Sequence, residues 1–191
     1  MENLTEIRWH GRGGQGVVTA GKLLAETALG SGQYFQAFPD YGPERMGAPI
    51  KAYTRLSPEP INLHCQIEYP NVVLVLDPTL LGTVPVTEGL KENGILLVNT
   101  PLSPAKIREV TNFETGQVFT VDASHIAIEE IGREITNTPM IGALARATGI
   151  FEIDDLIEQT RKRFTKLMMK QDIIEANVRA MRRAATEVKE G

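Results

Sequence analysis

Runs of apolar residues alternate along the chain with polar turns, and their spacing predicts both strands and helices. Residues 71–77 and 94–100 are largely apolar with β-branched side chains, which indicates strands buried on both faces of a sheet. Residues 50–56 alternate apolar with polar, which predicts a strand with one face towards water. Apolar residues at helical spacing in 154–168 and 171–189 predict two amphipathic helices that cover the sheet.

The remaining elements complete an alternating pattern of strands and helices. Further strands are predicted at residues 7–10, 34–38 and 117–122, and further helices at 17–26, 123–135 and 137–145. Such alternation predicts an α/β fold, layered α/β/α around a mostly parallel sheet. Strands 50–56 and 72–76 are joined without an obvious helix, so we expect a mixed sheet. No repeat or long linker divides the sequence, and residues 1–191 are expected to form a single domain.

A glycine-rich strand–turn–helix opens the chain and is the first candidate site. Its glycines satisfy the dinucleotide pattern G-x-G-x-x-G, with a strand before them and a helix after them. Glycine lets a ligand approach the backbone closely, and the start of the next helix offers free N–H groups to an anion. The candidate cofactor-binding residues are Gly11, Arg12, Gly13, Gly14, Gln15 and Gly16. A tight turn that merely packs the helix on the sheet is the alternative.

Asp40 is a candidate ribose-binding residue for a dinucleotide held by the same loop. It lies 24 positions after Gly16, near the place of the ribose-binding carboxylate in nicotinamide-binding domains. An aspartate after a proline is also ordinary turn chemistry, which leaves this interpretation open.

A second polar loop follows at residues 41–49, where two glycines and two prolines exclude a helix. Tyr41, Glu44 and Arg45 place an aromatic ring, a carboxylate and a guanidinium within five residues. Such groups on a turned loop are typical of a surface that binds a substrate or another subunit. The alternative is a solvated Glu44–Arg45 turn.

Charge and hydropathy restrict the classes of partner. With 20 basic and 24 acidic residues the net charge is −4, and no basic stripe is interleaved with aromatics, which argues against nucleic acid. The longest apolar run, residues 72–76, is too short to span a bilayer, and the first six residues are unlike a signal peptide. We therefore expect a cytoplasmic protein.

The single cysteine, Cys65, excludes a four-cysteine iron–sulfur or zinc site built by this chain alone. His10, His64 and His125 lack metal-ligand spacing, so no metal site is expected. His64 and Cys65 are adjacent, but neighbours on a strand point to opposite faces, which argues against a Cys–His nucleophile and favours a buried cysteine. We identify no catalytic nucleophile or general base, a pattern that suits a chain that binds and positions.

Four segments occur in the order and spacing of one family, namely residues 10–16, 41–47, 77–79 and 137–143. On these motifs the chain resembles the gamma subunit of the 2-oxoacid:ferredoxin oxidoreductases, in particular the pyruvate synthase type. The resemblance covers about residues 5–185. In one departure, Met46 stands where the family's loop usually has a second small or basic residue.

The resemblance implies a multisubunit enzyme that converts a 2-oxoacid, coenzyme A and oxidised ferredoxin into acyl-CoA, CO₂ and reduced ferredoxin. Thiamine diphosphate, Mg²⁺ and [4Fe–4S] clusters are then expected on other subunits, with none bound by this chain alone. The implied partners are alpha, beta and delta subunits of a heterotetramer, with ferredoxin as electron acceptor. The glycine-rich loop is expected at a subunit interface, where it holds coenzyme A's phosphates or seals the cleft, and Tyr41, Glu44 and Arg45 line the same junction.

Two alternatives remain open. One is a stand-alone NAD(P)-dependent oxidoreductase with a Rossmann-like fold that uses Gly11, Gly13, Gly16 and Asp40. The other is a structural subunit without any ligand site.

Overall fold

A computed structural model describes residues 4–30, 32–40 and 47–191, apart from the side chain of Leu29. In these residues the strands are β1 (Thr5–Arg12), β2 (Tyr34–Pro39), β3 (Pro49–Ser57), β4 (Val72–Val75), β5 (Ile95–Asn99), β6 (Gln117–Val121) and β7 (Lys189–Glu190). The helices of the same residues are α1 (Val17–Gly30), α2 (Pro104–Thr111), α3 (Ala123–Ile131), α4 (Asn137–Thr148), α5 (Ile153–Lys166) and α6 (Gln171–Glu187).

Within the described residues, the seven strands form one sheet in the order β2-β3-β1-β4-β5-β6-β7. Strands β1, β4, β5 and β6 are parallel, whereas β3 is antiparallel to both β1 and β2, and β7 is antiparallel to β6. The predicted mixed sheet is therefore confirmed. After β1 the chain continues to β2, which lies towards one edge of the sheet. After β4 it continues to β5, which lies towards the opposite edge. The carboxyl ends of β1 and β4 thus form a topological switch point, where open α/β sheets bind ligands.

The larger part of the core lies on one face of the sheet, under α1 and α4. Alternate residues of β1, Ile7 and Trp9, point to this face and are fully buried with Leu24 of α1 and Met140 of α4. The Trp9 indole N–H donates to Thr54 Oγ1 over 3.0 Å, which satisfies the polar edge of the ring. Helices α5 and α6 close this layer from outside.

The opposite face has its own, smaller core. Ile107 of α2 packs there with Val73 and Val75 of β4 and with Leu96 and Val98 of β5. Helices therefore cover both faces, and the predicted α/β/α layering is confirmed.

Helices α4 and α6 approach each other closely. A Cβ atom on Gly142 would lie 2.1 Å from the carbonyl oxygen of Met181, so the missing side chain is what lets the two backbones meet. Thr138 Oγ1 also donates to Asn177 Oδ1 over 2.6 Å, which aligns the first turn of α4 with α6.

The prediction that one face of β3 is exposed to water is wrong. On that face Tyr53 is 3 % and Arg55 is 1 % exposed, and Lys51 is half-buried. Arg55 is accommodated by an ion pair from its Nε to Glu6 Oε1 at 2.9 Å and by the ring of Phe38 beneath its guanidinium.

Other helices and strands also differ from those predicted from the sequence. Helix α3 ends at Ile131 rather than Ile135, since Gly132 adopts φ +76° and caps the helix. Helix α2 and strand β7 were not predicted, although Ser103 before Pro104 is a recognisable helix start. None of the helices in the described residues is long and apolar enough to cross a membrane.

Candidate functional site

The glycine-rich loop lies at the switch point, and two of its glycines are required by close packing. A Cβ atom on Gly11 would lie 2.5 Å from Val17 Cγ2, so this glycine lets α1 fold back onto β1. Gly16 has φ +76°, and a Cβ atom there would lie 2.8 Å from Asn137 Nδ2 at the start of α4. Part of the glycine pattern therefore has the packing role that was the alternative interpretation of the motif.

Gly13 and Gly14 have a different environment. The Gly13 N–H donates to Ala48 O over 3.0 Å, and the Gly47 N–H donates to Gly13 O over 3.2 Å, which extends the pairing of β1 with β3 into the loop. Gly14 is exposed with φ +96°, and a Cβ atom there would have no neighbour within 4 Å. The tip of the loop is thus open while its base is fixed.

Arg12 is held in place by three neighbours across the switch point. Its Nε donates to Asp77 Oδ2 over 3.1 Å, its Nη2 to Thr79 Oγ1 over 2.7 Å, and its Nη1 to Gly47 O over 3.1 Å. About a third of the side chain remains exposed, and two of its five N–H groups have no partner among the described residues. Arg12 therefore presents a preorganised, partly exposed guanidinium that is ion-paired with Asp77.

Gln15 completes this cluster. Its side-chain oxygen accepts the backbone N–H of Arg12 over 2.8 Å, and its side-chain nitrogen donates to Asp77 Oδ2 over 2.8 Å. The structure thus joins two of the predicted loop residues, Arg12 and Gln15, to a carboxylate from the next parallel strand.

Asp77 is a further candidate functional residue. The sequence places it at the end of a predicted strand but does not indicate what its side chain binds. It caps the short 3-10 turn Pro78–Leu80 and accepts from the Thr79 backbone N–H over 2.9 Å and from the Thr79 hydroxyl over 2.6 Å. Burial alone would raise the pKa of Asp77, but the hydrogen bonds from Thr79 and Gln15 and the charge of Arg12 outweigh it and lower the pKa. A carboxylate so fully hydrogen-bonded holds the loop and has no free lone pair suited to a general base.

The start of α1 adds hydrogen-bond donors beside this cluster. The Ala20 N–H donates to Gly16 O over 2.9 Å as the first bond of the helix, so the N–H groups of Val17, Val18 and Thr19 have no acceptor within it. These groups and the positive end of the helix dipole are suited to an anion.

A buried basic pair lies on β1 directly before the loop. Arg8 is 5 % exposed; its Nε donates to His10 Nε2 over 3.1 Å, and its Nη2 donates to the carbonyl oxygens of Val86 and Glu88. Burial first, then the charges of Arg8 and Lys51, lower the pKa of His10 to about 3. His10 is therefore neutral, and its Nε2 accepts a hydrogen bond from Arg8.

Asp40 does not occupy the ribose-binding position that the dinucleotide alternative requires. Strand β3 lies between β1 and β2, so the end of β2 is two strand spacings, about 10 Å, from the strand that carries the loop. Asp40 is instead bound to other residues: Tyr53 Oη donates to it over 3.1 Å and Gln66 Nε2 over 2.7 Å. Partial burial first, and then Asp40, raise the pKa of Tyr53 to about 12.

Two further sequence expectations have different outcomes. Tyr41, Glu44 and Arg45 lie outside the described residues, so their contribution to a binding surface stays a prediction. The expected burial of Cys65 is wrong, because Cys65 lies in an irregular segment before β4 and is exposed. Arg55 Nη2 approaches its sulfur at 3.6 Å.

The comparisons with known proteins decide the family. The model of the family described as pyruvate ferredoxin/flavodoxin oxidoreductase matches residues 6–187. The chain belongs to this family. It is 50 % identical over 184 residues to pyruvate synthase subunit PorC of Thermotoga maritima, a match that covers 96 % of this chain and 94 % of the relative.

Further relatives agree on the type of subunit. The common subunit gamma of the pyruvate/ketoisovalerate oxidoreductases of Thermococcus kodakarensis is 48 % identical over 162 residues, which cover 85 % of this chain and 88 % of the relative. The crystal structure of the pyruvate oxidoreductase subunit PORC of Thermotoga maritima matches with a TM-score of 0.86 at 47 % identity and covers 99 % of both chains. The chain is therefore a gamma subunit of the 2-oxoacid:ferredoxin oxidoreductase type, one part of a multisubunit enzyme.

The donor groups of the described residues do not form a metal site. In residues 4–30, 32–40 and 47–191, no group of three or more His, Cys, Asp and Glu side chains could hold a metal ion. A [4Fe–4S] cluster uses four thiolates, and the sequence has one cysteine.

Proposed function

We propose that the complex to which this chain belongs converts pyruvate, coenzyme A and oxidised ferredoxin into acetyl-CoA, CO₂ and reduced ferredoxin in the cytoplasm. The support is the similarity over nearly its full length to subunits named for pyruvate synthase. Its partners in this proposal are alpha, beta and delta subunits, with ferredoxin as electron acceptor. Thiamine diphosphate, Mg²⁺ and the [4Fe–4S] clusters belong to those other subunits, and residues 1–191 act as a single domain.

The proposed role of this chain is to present the glycine-rich loop at a subunit junction, where it binds the phosphates of coenzyme A. The observation that carries this role is the preorganised Arg12 at the switch point, fixed by Asp77 and Thr79, with two N–H groups that have no partner among the described residues. The N–H groups at the start of α1, which have no acceptor within that helix, are the second set of donors. The open tip at Gly14 leaves room for a ligand or a partner surface. We include Tyr41, Glu44 and Arg45 in the same junction.

We further propose that this chain does not select the 2-oxoacid. A relative at 48 % identity is named as a subunit common to pyruvate and ketoisovalerate oxidoreductases. Its name indicates that one gamma chain serves two substrates. Because Arg12, Gln15 and Asp77 bind one another and supply no apolar pocket, they are suited to coenzyme A, the substrate that such enzymes share.

The test is steady-state kinetics of the assembled enzyme with Arg12→Ala, using coenzyme A and 3′-dephospho-coenzyme A. We expect KM for coenzyme A to rise about tenfold, equivalent to about 1.4 kcal/mol, with KM for pyruvate unchanged. If the preference for coenzyme A over its dephospho form disappears, the contact is to the 3′-phosphate, and an equal loss for both places it at the pyrophosphate.

Arg146→Ala is the matched control, since Arg146 is an exposed arginine in the last turn of α4 with no ion pair among the described residues. An unchanged KM for coenzyme A in the Arg12 variant would refute phosphate binding and leave the loop as a seal of the junction. Binding of NAD by the purified chain, measured by calorimetry, would instead support the stand-alone oxidoreductase.

A further inference from the structure

Exposed apolar side chains are concentrated at the turn between α5 and α6. Leu167 is 60 % exposed, Met168 is 91 % exposed, and Ile173 in the first turn of α6 is 38 % exposed. We call these three residues the hairpin patch. Single exposed apolar residues are common on protein surfaces, but three within seven positions concentrate exposed apolar area at one turn.

The backbone of the turn presents Met168 outwards. Met168 has φ +56°, a left-handed conformation that non-glycine residues seldom adopt, and its N–H donates to Thr165 O over 2.9 Å. The next residue, Met169, donates to Phe164 O over 3.1 Å. The turn is therefore closed by its own hydrogen bonds, and the unbranched, adaptable side chain of Met168 is left without packing.

A short series of contacts connects the hairpin patch to the glycine-rich loop. Asn137 lies against Gly16, and the next residue, Thr138, donates to Asn177 Oδ1 over 2.6 Å. Asn177 Nδ2 in turn donates to Ile173 O over 2.8 Å. Three polar residues, Asn137, Thr138 and Asn177, thus connect the loop to the patch.

The charges around the patch are mainly basic. Lys166 and Lys170 border Leu167 and Met168 and form no ion pair with any described residue, while the neighbouring Arg161 and Arg163 are paired to Glu175 and Glu26. Asp172 is the acidic group of this turn, and its Oδ1 accepts the N–H of Ile173 over 3.0 Å. A complementary surface would have an apolar centre with carboxylates opposite the two lysines.

We propose that the hairpin patch docks onto another subunit of the same oxidoreductase, in an apolar pocket bordered by carboxylates. The inference rests on the proposed function, because it extends the junction at the glycine-rich loop. Gamma subunits are components of a complex, so a partner subunit is the occupant that family membership supplies. The unbranched Met168 enters the pocket, and Lys166 and Lys170 fix the orientation through charge.

The test measures assembly with Met168→Glu and, as a matched control, Val110→Glu. Both positions are exposed, but Val110 is on α2, at the opposite face of the sheet. Variants of this chain are mixed with the remaining subunits, and the dissociation constant is measured by native mass spectrometry. We expect Met168→Glu to fold normally by circular dichroism and to raise the dissociation constant at least about tenfold, with Val110→Glu unchanged.

A second variant, Lys166→Glu with Lys170→Glu, tests the charges. We expect assembly of the wild-type chain to weaken with rising salt and assembly of this variant to lose that dependence. Normal assembly of Met168→Glu would overturn the proposal, as would an isolated chain that dimerises through the patch in sedimentation experiments. Coenzyme A kinetics of Arg12→Ala are read separately, so failure of the docking surface and failure of the phosphate site are distinguishable.

Discussion

Gly142→Ala tests whether the contact between α4 and α6 is as close as the structure indicates. Alanine is the better helix former, and in a free helix the substitution would stabilise by about 1 kcal/mol. Here the added Cβ would lie 2.1 Å from the Met181 carbonyl oxygen and under 3 Å from two further backbone atoms of that residue. The expected change in the free energy of unfolding is therefore the gain from helix propensity minus the cost of overpacking.

The size of the effect follows from which atoms must move. Ordinary van der Waals contact begins at 3.4 Å, so the helices must separate by more than 1 Å. Backbone atoms cannot rotate away, and both helices are held by a close-packed core. Overpacking of this kind costs about 3 kcal/mol or more, which leaves a net destabilisation of about 2 kcal/mol after the gain in propensity.

Urea denaturation of the purified chain measures this difference. With a slope of about 2 kcal/mol per molar urea, the midpoint is expected to fall by about 1 M. Gly30→Ala is the control, because a Cβ there meets the flexible end of Gln159 at 2.9 Å and no backbone atom. The control should remain within about 0.5 kcal/mol of wild type. A Gly142→Ala midpoint at or above that of the wild type would refute the packing argument.

Two further predictions concern buried charge. His10 is neutral in the fold with a pKa of about 3, whereas the unfolded chain binds a proton near pH 6.5, so stability should fall by about 1 kcal/mol per pH unit as the pH drops from 6.5 towards 3. His10→Gln should make this dependence shallower in urea titrations at pH 4 to 6.5, and an unchanged slope would contradict the assignment. Glu6→Gln leaves the Arg55 guanidinium without its ion pair and should destabilise by about 3 kcal/mol. Arg55→Met in the same chain should recover most of that loss, and a cost below about 1 kcal/mol for Glu6→Gln would show that the pair is dispensable.

The local pattern was sufficient for the order of the elements other than α2 and β7, and for the family. The apolar run of β4, the helical spacing in α5 and α6 and the glycines of the first loop are short-range signals, because period and chirality act within a few residues. The motifs at residues 10–16 and 77–79 were both visible in the sequence, although nothing local showed that they meet.

The order of the strands in the sheet determines which residues of those motifs meet. The pairing of β1 with β4 brings Asp77 to Arg12 from 65 positions away, and the insertion of β3 beside β1 separates Asp40 from the loop. The same insertion buries Arg55, whose alternating neighbours predicted a wet face.

The sequence by itself therefore determined most of the elements, the family and the candidate loop, since these depend on local spacing and on motif order. Only the tertiary structure decided that Arg12 is paired, that His10 is neutral and that Met168 projects into solvent. The physical reason is that charge state, pKa and exposure depend on groups brought together across the sheet and between helices. Their sequence separation leaves no periodic signal.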